Sequence, residues 1–257
     1  MHRTIPPGVS GYNSGGVERA ARRFRGLPEN ICFSATSSPV RSESDSLLAC
    51  YSDPKYSKAA PLIIALDFNI QPGSASIIQE QRLPNGLDGT GVIGEVHIPR
   101  HSTTPAVCRK IVQEWGEHPS PVLVYGDATG GAQGSSRVAG SDWDLVKAEL
   151  RPVFGNRLSI KVPHANPRER ARVNAMNSRL MSAAGDIRLM VDPIKAPTVV
   201  KDFEGVRLLE GGSGEIDKKI DPKLSHWTDG IGYYCAAEWP VEQRKAVFAS
   251  YTLGGGR

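Results

Sequence analysis

The stretch LIIALDFN, Leu62 to Asn69, constrains the chain more than any other. Four aliphatic residues and an alanine run without a break into Asp67. A short apolar run of this kind is a strand covered on both faces. A carboxylate at the end of a buried strand is costly unless something pairs with it. Asp67 is therefore either a satisfied structural residue that caps a turn, or a charge that is wanted there. VLVYGD repeats the design: a second aliphatic run ends on Asp127.

Composition bounds the setting. With 257 residues, 39% of them hydrophobic and 23% charged, the chain can build one real core with room for a smaller appendage. The net charge of +4 and pI near 8.9 are compatible with a polyanionic partner but diagnostic of nothing. The four cysteines, Cys32, Cys50, Cys108 and Cys235, form no C-x-x-C pair and read as reduced thiols. No apolar run reaches membrane-spanning length, and the amino terminus lacks the apolar core of a signal peptide. The expectation is a soluble intracellular protein with no membrane partner.

Residues 1–58 read as an irregular or flexible flank, rich in Gly, Ser and Pro, with one short helical possibility at Val17 to Phe24. The basic knot in it (Arg19, Arg22, Arg23, Arg25) is a solvated charge run or a nucleic-acid contact. Regular structure is expected from 59 to 245, and residues 246–257 read as a flexible tail. After LIIALDFN, SASIIQEQRL and GVIGEVHIP are strands joined by a turn at Pro84–Asn85–Gly86. TPAVCRKIVQEWGEH is a helix capped by Thr103 or Thr104, with Val107, Ile111, Val112 and Trp115 on one face. VLVYGD, LSIKVP and IRLMVDP are further strands. SDWDLVKAEL, capped by Ser141, is a helix, and so is APTVVKDFEGVRLLE. PRERARVNAMNSRLMSAAG is a long helix from Pro167 to a stop at Gly185. GGSGEIDKKID is a basic loop or hairpin, and KLSHWTDGIGYYCAAEW a last helix despite two glycines. The fold class is α/β, a mixed sheet flanked by helices.

Functional groups in such sheets gather where neighbouring strands end on one edge. If the first and fourth strands are adjacent and parallel, Asp67 and Asp127 become neighbours. Unpaired carboxylates at one edge repel unless a cation lies between them, and Mg²⁺ and Mn²⁺ prefer carboxylate oxygens. HWTD supplies His226 and Asp229, whose spacing of three puts them on one helix face.

Three strand-then-helix carboxylates in this order resemble ribonuclease H-like nucleases. Residues from about 61 to 240 resemble the nuclease domain of tailed-bacteriophage large terminase subunits, the DNA-packaging motors. IIALDFNIQPGSASII is similar to the family's first acidic strand, LVYGDATGG to its second, and KLSHWTDGIGYY to its carboxy-terminal motif. NPRERARVNAMNSRLMSAAGDIRL is similar to the Arg-rich helix before that motif. Where the family often has alanine after the last acid, this chain has Gly230, at about 1 kcal/mol of helix propensity. No G-x-x-x-x-G-K-[ST] phosphate loop occurs, and GGAQGSSR reads as a flexible loop. The expectation is a nuclease module, a fragment or a separately encoded piece.

The resemblance implies a ribonuclease H-like fold, two divalent ions (Mg²⁺ or Mn²⁺), and catalytic metal ligands at Asp67, Asp127 and Asp229, with His226 as a fourth. It implies an endonuclease that cuts concatemeric viral double-stranded DNA in the cytoplasm of an infected bacterial host. An ATPase motor domain, the portal protein and the small terminase subunit are the implied partners. His226 is otherwise a packed, hydrogen-bonded histidine. For DNA binding the candidates are Arg168, Arg172 and Arg179 on one helix face, solvated flank or phosphate contacts, and Lys218, Lys219 and Lys223 before HWTD. Glu95 competes for the second ligand but, from mid-strand, reads as a cross-strand pairing residue, and Asp142, Asp144 and Asp186 read as cap, helix surface and turn. Asp192 and Asp202 reach the site only under a different strand order. The alternatives are a Holliday-junction resolvase-like nuclease and a non-catalytic DNA-binding module.

Overall fold

The computed structural model describes residues 53–68, 71–131, 141–210, 213–219, 221 and 223–241. The expectations for residues 1–52, for most of GGAQGSSR and for the tail at 246–257 lie outside the described residues. In chain order the elements are β1 (Leu62–Asp67), β2 (Gly73–Arg82), β3 (Asp88–Ile98), α1 (Thr104–Trp115), β4 (Val122–Gly126) and α2 (Asp142–Phe154). They continue with β5 (Leu158–Ile160), α3 (Glu169–Leu180), β6 (Leu189–Val191), α4 (Pro197–Gly205) and α5 (His226–Glu238).

The strands form one six-stranded mixed sheet in the order β5-β4-β1-β2-β3-β6. β1, β2 and β3 are an antiparallel meander, while β4 joins β1, β5 joins β4, and β6 joins β3, all in parallel. The α/β class and the adjacency of the first and fourth strands are thus as expected.

Strand parity divides the core in two. Leu62, Ile64 and Leu66 pack with Val122 and Val124 against α1 and α2, through Val107, Ile111, Trp143 and Val146. Ile63, Ala65 and Tyr125 face the other way, onto Val173 and Met176 of α3, Val199 and Phe203 of α4, and Trp227, Ile231 and Tyr234 of α5. Successive strand side chains alternate faces. Asp67 continues the 63–65 series and Asp127 the 123–125 series, so both acids fall on the face that α5 covers.

Helix starts follow the sequence closely. Thr103, not Thr104, caps α1, accepting from Ala106 N at 3.3 Å, and Ser141 Oγ accepts from Asp144 N at 3.2 Å to cap α2. Two helices end sooner than expected. α3 stops at Leu180 rather than Gly185, because Ser182 Oγ accepts from Ala184 N and Asp186 N and draws the chain into a turn. Gly185, at φ +83°, belongs to that turn. α4 ends at Gly205, after which Leu208 makes a single antiparallel bridge to Ile216, within the stretch expected as a loop or hairpin.

Candidate functional site

Parallel pairing of β1 with β4 sets Leu66 opposite Gly126, so the next residues, Asp67 and Asp127, leave the same edge of the sheet side by side. The turn after β4 is tied to Asp127. Its Oδ1 accepts from Thr129 N at 2.6 Å, Thr129 Oγ1 at 2.6 Å and Asn166 Nδ2 at 2.5 Å. Asn166 also accepts from Ala128 N at 2.8 Å, and Trp143 Nε1 donates to the Asp127 carbonyl at 2.8 Å. Burial pushes the Asp127 carboxyl up, but the hydrogen bonds from Thr129, Asn166 and the Tyr233 hydroxyl outweigh it and hold the group below the usual carboxylate range.

The third acid arrives on α5. This helix crosses β1 backbone to backbone: a Cβ built on Gly230 would stand 3.3 Å from the Ala65 carbonyl oxygen. The close approach brings His226 Nδ1 to 3.2 Å from Asp67 Oδ2, within hydrogen-bond distance. Asp229, one helical turn on, is buried and pairs with two cations. Arg172 Nη1 lies 2.8 Å from its Oδ1 and Lys218 Nζ 2.7 Å from its Oδ2. Burial pushes the Asp67 carboxyl above the ordinary aspartate value; the His226 hydrogen bond opposes this, and the negative charge of Asp229 adds to it. Lys218 is shifted up, because Asp229 outweighs its partial burial. Tyr233, one turn beyond Asp229, feels Asp127, Asp229 and Asp67 together, and its ring lies 4.2 Å under the Arg172 guanidinium. The structure therefore sets Asp67 beside Asp127 at one sheet edge and brings His226 and Asp229 to that edge on α5.

The predicted DNA-binding residues do not form one exposed surface. Arg172 and Arg179 form neither a solvated flank nor a surface for phosphates: each is only 6% exposed. Arg179 pairs with Glu80 at 3.0 Å, donates to Thr90 Oγ1 at 2.8 Å and stacks on Trp239 at 4.1 Å. The reason lies outside α3. Acids from α5 and β2 draw the two guanidinium groups inward, to the edge of the Val173, Met176 and Leu180 stripe. Lys218 is turned to Asp229. Arg168, Lys219 and Lys223 remain exposed.

Other residues took parts that periodicity does not reveal. Asp202, 1% exposed, caps α5 from α4: it accepts from Ser225 N at 2.5 Å, Thr228 N at 2.7 Å and Thr228 Oγ1 at 2.8 Å. It thus reaches the edge of the site under the expected strand order. Glu95 caps α4 through Thr198 N and Val199 N, both at 2.9 Å, rather than pairing across strands. Asp192 accepts from Ile194 N and Lys195 N at 2.9 and 3.0 Å. Asp142 accepts from Thr104 Oγ1 at 2.6 Å and joins α2 to α1. The signal for Tyr233 was available, since it follows Asp229 by four residues on the same helix face.

Among the described residues, no group of three or more His, Cys, Asp and Glu side chains could hold a metal ion as the side chains stand. The donor types nevertheless suit a hard divalent cation: Asp67 and Asp127 leave one sheet edge, and His226 and Asp229 come to Asp67 from α5, where Asp67 and Asp229 repel each other. Arg172 and Lys218 now balance Asp229, and the Lys218 side chain, 49% exposed, has solvent to move into. No protein-family model matches the chain, and no curated protein matches it.

Proposed function

We propose that the chain is a divalent-metal-dependent endodeoxyribonuclease on a ribonuclease H-like scaffold, cutting concatemeric viral double-stranded DNA during genome packaging with little sequence specificity. The observation that carries the reading is the convergence of three carboxylates from separate parts of the sequence. Asp67 and Asp127 end adjacent parallel strands, and α5 lays Asp229 and His226 over them. The meander followed by parallel additions, β3-β2-β1-β4-β5, supports the scaffold. Asp67, Asp127, Asp229 and His226 would hold two Mg²⁺ or Mn²⁺ ions. When bound, such ions lower the pKa of an attacking water and stabilise the leaving oxygen of a phosphodiester.

The residues of the chain have separable tasks. Thr129, Asn166 and Tyr233 hold Asp127 ionised and in one orientation. His226 orients Asp67. Arg172 fixes one oxygen of Asp229 and Lys218 balances the other. Exposed Lys219 and Lys223, near the site in sequence, would meet the phosphates. The portal protein, the small terminase subunit and an ATPase motor are the partners this reading carries with it.

Plasmid cleavage with Mg²⁺, Mn²⁺ or EDTA tests the reading, comparing the wild type with Asp67→Asn. Metal-dependent nicking that the variant loses supports it; equal cutting by the variant removes Asp67 from the site. One observation favours a second reading. Both oxygens of Asp229 are engaged by cations of the chain itself, as expected of a DNA-binding module that does not cut. Binding without cleavage by the wild type would select that alternative, and a four-way junction in the same gel separates a resolvase from a packaging nuclease.

A further inference from the structure

The acids occupy only one part of a longer edge. Register carries it across the meander, from Asp67 to Ser74 of β2 and on to His97 of β3. His97 thus stands two strand spacings from Asp67, about 10 Å away. Beside it, between the end of β3, α4 and the start of α5, a cavity of about 820 Å³ opens to solvent. That volume lies within the range of sites that hold an organic ligand.

The walls of the cavity divide by chemistry. Pro72, Pro99, Leu224 and Trp227 form an apolar side. Arg100, Lys201 and Lys223 are exposed around it, and none makes an ion pair among the described residues. The two lining acids are engaged elsewhere, Asp202 accepting from Ser225 and Thr228 and Asp221 from Lys223 N at 2.9 Å, so the cations outnumber them by three to two along the walls. Trp227 is 2% exposed, meets His97 edge to face at 5.2 Å, and its indole N–H has no hydrogen-bond partner among the described residues. Burial, with the positive charges of Lys110 and Lys201, outweighs the opposing Glu95 carboxylate and holds His97 below the ordinary histidine range.

We infer that this cavity is a nucleotide subsite, which takes one nucleotide of the substrate strand with its phosphate on Arg100 and Lys201 and its sugar and base against Pro99 and Leu224, over the buried edges of Pro72 and Trp227. This rests on the nuclease reading above. A nucleotide combines the anion, the apolar disc and the hydrogen-bond acceptors that the walls call for. Trp227 adjoins His226 in sequence, and the separation of about 10 Å between His97 and Asp67 equals about three base-pair rises of 3.4 Å along a duplex axis. The subsite therefore holds the strand a few nucleotides from the cut.

The test is fluorescence anisotropy of a labelled oligothymidylate in EDTA, with the double variant Arg100→Glu/Lys201→Glu. Charge reversal at exposed Lys147 and Arg151 of α2, on the opposite face of the sheet, is the control for net charge. The cavity variant is expected to bind at least about tenfold more weakly than the control, and its salt slope to fall by about 0.7 for each phosphate that the variant no longer neutralises. Lys201→Arg is expected to retain binding, and unlabelled thymidine monophosphate to compete poorly. Equal binding by the cavity and control variants would overturn the subsite, and so would failure of the wild type to bind. Thymidine monophosphate competing as well as the oligonucleotide would make it a free-nucleotide site instead. Parallel cleavage assays in Mn²⁺ separate the two readings. Cutting that Asp67→Asn abolishes, with binding indifferent to Arg100 and Lys201, refutes the subsite alone. Binding that depends on Arg100 and Lys201, with no cutting by the wild type, refutes the nuclease alone.

Discussion

Arg172 Nη1 donates to Asp229 Oδ1 at 2.8 Å, and both side chains are buried, 8% and 7% exposed. Removing one partner of such a pair leaves a buried charge uncompensated, at about 3–5 kcal/mol. Lys218 stays on the other Asp229 oxygen, so Arg172→Met is expected to cost about 3 kcal/mol. That is a fall of about 6–12 °C in melting temperature, readable by calorimetry. A loss below about 1 kcal/mol would show that Lys218 alone sustains Asp229.

Asp67 faces the opposite situation. Burial makes its charged form unfavourable, so at neutral pH without metal it weakens the fold. Asp67→Asn is expected to melt no lower than the wild type, and to gain up to about 1 kcal/mol, while losing cleavage. A variant that loses both stability and cutting would make Asp67 a structural residue.

Stability should also depend on Asp202. Burial, opposed by the hydrogen bonds from Thr228 and Ser225, raises its carboxyl from 3.8 to about 6. Between those values the folded chain holds more protons than the unfolded chain, so stability falls as pH rises. The contribution is fully present below pH 3.8 and gone above about 6, with a span of about 3 kcal/mol. Urea titrations of the wild type and Asp202→Asn from pH 4 to 7 isolate it. Parallel pH profiles would exclude the assignment.

Two glycines of α5 should respond oppositely to alanine. At Gly230 a methyl would stand 3.3 Å from the carbonyl oxygen of Ala65, in a central strand that cannot yield. Crowding of this kind costs about 1–3 kcal/mol, against a helix gain of about 1. At Gly232 the nearest atom is the Arg172 Cβ at 3.4 Å, an ordinary contact. Gly230→Ala is expected to destabilise by about 1 kcal/mol and Gly232→Ala to be neutral or stabilising. The reverse order in denaturant midpoints would place α5 farther from β1.

Lys218 holds a position that a metal ion would contest. Its ammonium on Asp229 is a counter-charge that leaves with the side chain in Lys218→Ala. Calorimetric titration with Mn²⁺ is expected to show affinity several-fold higher in that variant. Unchanged affinity would mean that Asp229 takes no part in binding the ion.

The sheet was legible because β1 and β4 announce themselves as aliphatic runs and because capping residues such as Ser141 act locally. The convergence of Asp67, Asp127, His226 and Asp229 followed from strand adjacency and helix spacing, which are regular. The arginines of α3 were misread because their environment comes from elsewhere. Helical spacing shows that Arg172 and Arg179 lie beside the apolar stripe, but only tertiary structure supplies Asp229 and Glu80 to draw them inward. Asp202 and Glu95 were missed for the same reason: each caps a helix to which it does not belong.

That borrowed cap has a consequence for motion. The first turn of α5 takes its amide acceptors from Asp202 of α4, so it cannot fray while α4 stays folded. The two helices should open as one cooperative unit, with the amide of Thr228 exchanging its hydrogen no faster than those in the middle of α4. Any ligand that presses on α4 would then shift the opening equilibrium of the turn that carries His226 and Asp229.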